Sequence, residues 1–173
     1  MTIRPATLKD LEPVSDIYQQ ICKLEAAGMI RTGWQQNIYP TAETARAAFD
    51  ADELFVYEEN GVILASAILN RRQPEAYAQG IWRYPADDAQ VMVLHTLAVS
   101  PALFHQGIGK AFVQFFERYA KENGSAVLRI DTNVINQTAR ALYAALGYRE
   151  AGEVPCLFNG IPGVTLVLLE KKM

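Results

Sequence analysis

Cysteine, histidine and tryptophan are scarce in this chain of 173 residues, with two of each. Cys22 and Cys156 stand far apart, and with His95 and His105 they form no metal-ligand spacing. That argues against a zinc site or a disulfide scaffold and predicts reduced, structural thiols with no metal. Positive charge is not in excess either: 16 Lys and Arg against 19 Asp and Glu leave a net charge of -3. A nucleic-acid partner is therefore not expected, because such proteins carry a basic stripe that displaces counterions from phosphates. Long apolar runs are missing, none approaching the roughly 18 residues of a membrane helix. The start "MTIRPATLKD" lacks the apolar core of a signal peptide. These two absences predict no membrane partner and a cytoplasmic location. Repeats, low-complexity segments and linkers are absent too, and the 8 prolines are scattered singly. What is present is a chain half hydrophobic, enough for one globular domain with a sizeable core over residues 1–173.

The apolar period switches between two and 3.6 along the whole length, which predicts a mixed α/β fold. "TIRPA" reads as an edge strand, since Pro5 cannot donate to a ladder. Thr7 and Asp10 offer a capping pair for a helix whose stripe is Leu11, Val14, Ile17, Tyr18 and Ile21. Pro13 would strain a helix already begun at Leu8, so the regular part is expected a turn later. A short helix over "TAETARAAFDA" precedes two strands, "ELFVYEE" and "VILASAILN", joined by the hairpin signal Asn60-Gly61. The segment "RRQPEAYAQGIWRYPADD" is long, aromatic and aperiodic, as functional loops are. "AQVMVLHTLAVS" reads as a central strand, with Val91, Val93, His95, Leu97 and Val99 on one face by the period of two. Ile108, Phe112, Phe115 and Tyr119, with Phe116 beside them, predict a helix face. A strand over "AVLRIDT" follows, then a helix capped by Asn136 with Ala139, Leu142, Tyr143 and Leu146 as its stripe, and two last strands.

The turn "FHQGIG" opening the 108–122 helix exposes backbone N–H groups and the positive end of a helix dipole, which suits a phosphate. A nucleotide P-loop needs glycine at 104 and Ser or Thr at 111, where Phe104 and Ala111 stand. A dinucleotide fingerprint would pair Gly107 and Gly109 with Asp131 as the ribose acid, but Phe112 occupies its third small position. An ordinary strand-to-helix turn with no ligand is the remaining, lesser reading of the glycines.

Taken together, "LAVSP", "FHQGIGKAFV", "RIDTN" and "NQTARALYAALGY" resemble the core of the GNAT acyl-CoA N-acyltransferase superfamily, and weaker likeness extends over most of the chain. The resemblance implies a central mixed, mostly antiparallel sheet flanked by helices, and acetyl-CoA as cosubstrate. It implies that the turn Phe104, His105, Gln106, Gly107, Ile108, Gly109 and Lys110 holds the pyrophosphate, although Phe104 replaces the family's usual Gln or Arg. It implies a bulge in the central strand that presents main-chain groups of Leu97, Ala98 and Val99 to the pantetheine arm and the thioester carbonyl. Asn136 then contacts the pantetheine as well as capping its helix, Ala139 adjoins the coenzyme, and Tyr143 protonates the leaving thiolate.

His95 matches a place where some members carry a histidine base, and an imidazole is well suited to removing an amine proton. A half-buried histidine bonded to a carbonyl is an equal reading. The acceptor would be an amine held by Trp34, Tyr39, Tyr77, Trp82, Tyr84 and Phe158, with Cys156 nearby. Those aromatics equally suit a homodimer contact or a lid core. Small amine, amino acid, peptide N-terminus and lysine side chain all fit. Two other functions remain open: a non-catalytic acyl-CoA sensor on the same fold, and an NAD(P)-dependent oxidoreductase.

Overall fold

The computed structural model describes residues 2–173. Its strands are β1 (Thr2–Pro5), β2 (Leu54–Glu59), β3 (Val62–Asn70), β4 (Val91–Val99), β5 (Val127–Asn133), β6 (Arg149–Phe158) and β7 (Ile161–Lys172). They form one sheet in the order β1-β2-β3-β4-β5-β7-β6. All neighbours run antiparallel except β4 and β5, which are parallel. Helices α1 (Leu11–Ala26), α2 (Ala42–Asp50), α3 (Ile108–Glu122) and α4 (Gln137–Ala145) flank it. None of the described helices is long and apolar enough to cross a membrane.

Local chemistry sets the boundaries. Pro5 lies on edge strand β1. The Asp10 carboxylate accepts from the Thr7 N–H at 2.6 Å and hydroxyl at 2.8 Å, closing a 3-10 turn over Leu8–Asp10. Arg4 pairs with the same carboxylate at 2.7 Å and lowers its pKa to about 2. The α-helix starts after that turn, so Pro13 falls in its first turn, where no N–H is needed. Asn60 (φ 52°) and Gly61 (φ 81°) make the two-residue turn between β2 and β3, both at positive φ as a type I′ turn requires.

One face of the sheet packs under α3 and α4, through Phe55, Leu94, Phe112, Phe116, Leu128 and Tyr143 among others. Phe112 and Phe116 are fully buried, each contributing roughly 1.5–3 kcal/mol by burial. The inner stripe of α3 differs from the aromatic repeat: Val113 and Ala120 are buried, while Phe115 and Tyr119 stack 5.9 Å apart over Phe55 at the rim. The buried stripe is therefore Ile108, Phe112, Val113, Phe116 and Ala120, with Phe115 and Tyr119 at its rim. The opposite face is covered in one half by α1 and α2 and in the other by the 71–90 segment.

The sheet splits at its centre. β4 and β5 pair from Val91↔Val127 to Leu94↔Ile130 and no further. On its other side β4 pairs Ile68↔His95 and Ser66↔Ala98, so Thr96 and Leu97 together stand opposite Ala67. This is a β-bulge, and Thr96 has φ 52°, a conformation rare for a β-branched residue. The bulge breaks the expected alternation. Val91 and Val93 pack under the 71–90 segment, whereas Leu97 and Val99 turn to the α3 face beside Met92 and Leu94. His95 therefore does not share a face with Leu97 and Val99. The bulge also aims β4 away from β5.

Candidate active site

Two cavities meet in the split. The first, about 70 Å³, is lined by Leu97, Asn136, Ala139 and Tyr143 together with Trp34. The second is an open groove of about 740 Å³ lined by Asn70, Arg72, Gln73, His95, Cys156 and Leu157. Tyr39, Thr96, Asp131, Phe158 and Leu166 line both. Tyr143 comes from the α3/α4 side of the sheet, while Asp131 and Arg129 lie on the side of the 71–90 segment. The split is thus a passage through the sheet.

On the α3 side, Gly107 caps the helix at φ 82° with open space where a Cβ would stand. The first helical bond there runs from the Ala111 N–H to the Gly107 carbonyl at 2.9 Å, so the N–H groups from Gly107 to Lys110 have no helical partner and suit an anion, whereas those of Phe104 and Gln106 bond within the turn before them. A Cβ at Gly109 would lie 3.5 Å from Leu142 and 3.8 Å from Val99, which places this turn against both α4 and the split end of β4. Phe104 packs into the cluster under α1 and α2 and offers no polar group. His105, Gln106 and Lys110 are exposed, and Ile108 is buried. Phe112, at the position where a dinucleotide fingerprint needs a small residue, is fully buried in the core, so that fingerprint is not formed.

Asn136 Oδ1 accepts from the Ala139 N–H at 3.1 Å, as an N-cap should, and the residue still lines the first cavity. Tyr143 is 4 % exposed, and burial, reinforced by the Asp131 charge, raises its phenol pKa. It stays protonated at neutral pH. Tyr18, Trp34, Tyr39 and Phe158 form a wall of edge-to-face rings with centroids 6.2, 6.4 and 5.3 Å apart in turn. The Tyr39 hydroxyl shares a hydrogen bond with the Thr96 hydroxyl at the bulge, and burial raises the Tyr39 pKa to about 12.

His95 lines the groove with Nε2 3.0 Å from Asn70 Oδ1. Asn70 Nδ2 donates to Glu53, so Oδ1 is the amide's acceptor and the imidazole Nε2 carries the proton. Burial lowers the His95 pKa to about 4.

Three of the expected aromatics do not line either cavity. Tyr77, Trp82 and Tyr84 pack in the core beneath the 71–90 segment. The cause is a set of polar anchors: the fully buried Glu170 accepts from the Arg83 N–H at 2.8 Å and the Tyr84 N–H at 3.2 Å. The Trp82 indole donates to the Tyr77 carbonyl at 2.8 Å, and the Arg129 guanidinium lies 4.0 Å over the Trp82 ring.

Asp131 emerges as a site residue outside the dinucleotide reading. It is surrounded by protein yet keeps surface on both cavities, and burial raises its carboxyl pKa to about 6. Tyr77 Oη donates to Asp131 Oδ2 at 2.9 Å. A signal was present in "AVLRIDT", where two charged residues at i, i+2 interrupt an otherwise apolar buried strand.

The family described as Acetyltransferase (GNAT) family matches residues 18–148. The chain belongs to this family. An uncharacterized N-acetyltransferase of Methanocaldococcus jannaschii is 25% identical over 155 residues, 86% of this chain and 61% of that protein. The chain spans less than two thirds of the length of the curated relatives it matches. Among solved structures, a GNAT family acetyltransferase from Streptococcus agalactiae 2603 aligns with a TM-score of 0.80 at 21% identity, covering 99% of this chain and 95% of that one. The Salmonella typhimurium protein yncA, solved with its cofactor acetyl-CoA, aligns at 0.69 and 20%, covering 99% and 92%. These likenesses establish the GNAT fold, whose parallel pair is the split pair β4 and β5.

Proposed function

We propose that this GNAT protein transfers an acetyl group from acetyl-CoA directly to a primary amine seated in the 740 Å³ groove. The observation that carries the reading is the passage through the sheet, where a protonated phenol and a buried carboxyl group line the same cavity from opposite faces. The residues present fit the coenzyme: an open glycine turn with free N–H groups, and a strand end at Leu97–Val99 with no β5 partner.

Bound acetyl-CoA supplies a thioester, at which the amine nitrogen bonds the carbonyl carbon while the carbon–sulfur bond breaks and sulfur leaves needing a proton. The chain's own groups do the rest. N–H groups at Gly107–Lys110 hold the pyrophosphate, and main-chain groups of Leu97–Val99 orient the arm and carbonyl. A fixed N–H facing a developing oxyanion contributes about 2.7–4 kcal/mol elsewhere. The Asn136 side chain steadies the arm, and Tyr143 Oη gives its proton to the sulfur. Tyr143 regains a proton from the nitrogen as the amide forms.

The amine must first lose a proton, and Asp131 receives it. A carboxylate beside an ammonium in a buried site gains from becoming a neutral pair, whereas passing the proton to His95 only moves the charge. The carboxyl group at about 6 is also the better acceptor than the imidazole at about 4. His95 is then a wall of the acceptor groove, with Tyr39, Phe158 and Cys156.

The test is release of free thiol from acetyl-CoA across a panel of primary amines, with Tyr143→Phe run beside the parent. Amine-dependent release is expected, reduced ~100-fold in the variant with coenzyme affinity unchanged. Binding of acetyl-CoA with no release for any amine would favour a sensor. Release within twofold of the parent in the variant, with chemistry rate-limiting, would make Tyr143 a packing residue.

A further inference from the structure

We infer that Tyr77 is a positioning residue for Asp131: its hydroxyl holds the carboxylate in the passage and sets the pH above which the acceptor amine is deprotonated. The inference rests on the proposed role of Asp131. Its geometry is independent of that role. Tyr77 sits in the 71–90 segment, 54 residues from its partner in sequence, and donates to Asp131 Oδ2 at 2.9 Å. The residue is 3 % exposed and is held by Trp82, whose indole donates to the Tyr77 main-chain carbonyl and whose ring lies 5.4 Å from the phenol ring. Trp82 is itself fixed under Arg129. A tyrosine fixed at its backbone and along its ring points one proton at one carboxylate oxygen and leaves the other oxygen for an ammonium.

The charged and titratable groups around Asp131 support the direction. From the segment before α2 comes Tyr39, from α4 Tyr143, and from β6 Cys156, each raised in pKa in part by the Asp131 charge and so each neutral at neutral pH. From β4 comes His95, neutral as well. Arg129, on β5 itself, acts on Tyr77. Among these, the Tyr77 hydroxyl is the group that favours the carboxylate through a hydrogen bond, opposing the burial that disfavours it.

The experiment compares the parent with Tyr77→Phe, which keeps the ring and removes the hydroxyl. Two quantities are read: the acid limb of the kcat/KM profile for the best amine in the panel, and the carboxyl titration of Asp131 followed by 13C NMR, which needs no turnover. Both midpoints are expected to move to higher pH by about one unit, the size of losing a hydrogen bond to a charged group. Trp82→Phe, which lacks the indole donor, is expected to move them less and in the same direction, and serves if Tyr77→Phe does not fold. An unmoved carboxyl midpoint overturns the inference. A carboxyl midpoint that moves while the rate profile stays in place overturns it too, and removes Asp131 from the reaction. If no amine reacts, the NMR midpoint still decides whether Tyr77 holds the carboxylate.

Discussion

In the proposed reaction, Asp131 is the residue on which chemistry and stability pull in opposite directions. Its folded carboxyl pKa, about 6, lies above the ordinary 3.8 because burial disfavours the charge. The folded state therefore binds the proton more tightly than the unfolded chain does, and stability falls as pH rises from about 4 through 6. Asp131→Asn removes that cost. The variant is expected to melt higher than the parent at pH 8 and equally at pH 4, while losing most of its acetyl transfer. A melting temperature at pH 8 equal to or below the parent's would show that the buried charge carries no such penalty. Such a trade is common where a site needs a buried charge. Asp131 was hard to find from sequence for a definite reason: its hydroxyl partner Tyr77 lies 54 residues away, and side-chain pairing at that distance leaves no periodic trace. Tyr143 was easier to single out, because it lies in a short motif beside its own helix cap.

Elements were more legible than their faces. The edge strand at Pro5, the late start of α1 around Pro13, the Asn60-Gly61 hairpin and the Asn136 cap all appear where local chemistry put them. A bulge in this strand is expected from the family resemblance alone and lies at Thr96; the apolar pattern of 91–99 gives no sign of it, because the extra residue is defined by pairing with β3. The turn opening α3 has its own test. Gly107 has φ 82° and open space around it, and asparagine tolerates that conformation better than other side chains. Gly107→Asn is expected to keep its melting temperature within a few degrees yet weaken acetyl-CoA binding about tenfold or more, ~1.4 kcal/mol. Unchanged affinity by calorimetric titration would move the phosphate site elsewhere.

At the scale of the whole molecule, the parallel pair inside an otherwise antiparallel sheet is what makes a site. Two strands that pair for four residues and then separate leave a gap through the middle of the sheet, with the turn proposed for the coenzyme on one face and the groove proposed for the amine on the other. Direct transfer, as proposed, needs both substrates present together. The thiol at Cys156, which lines the groove, has its pKa raised by burial and by the Asp131 charge, so it is a poor nucleophile and no acetyl group is expected to rest on it. The most direct measurement is the initial rate over a grid of acetyl-CoA and amine concentrations. Double-reciprocal lines that converge, for both the parent and Cys156→Ser, are the predicted result. Parallel lines, abolished by Cys156→Ser, would mean that the acetyl group passes first to the protein, and would contradict direct transfer across the split.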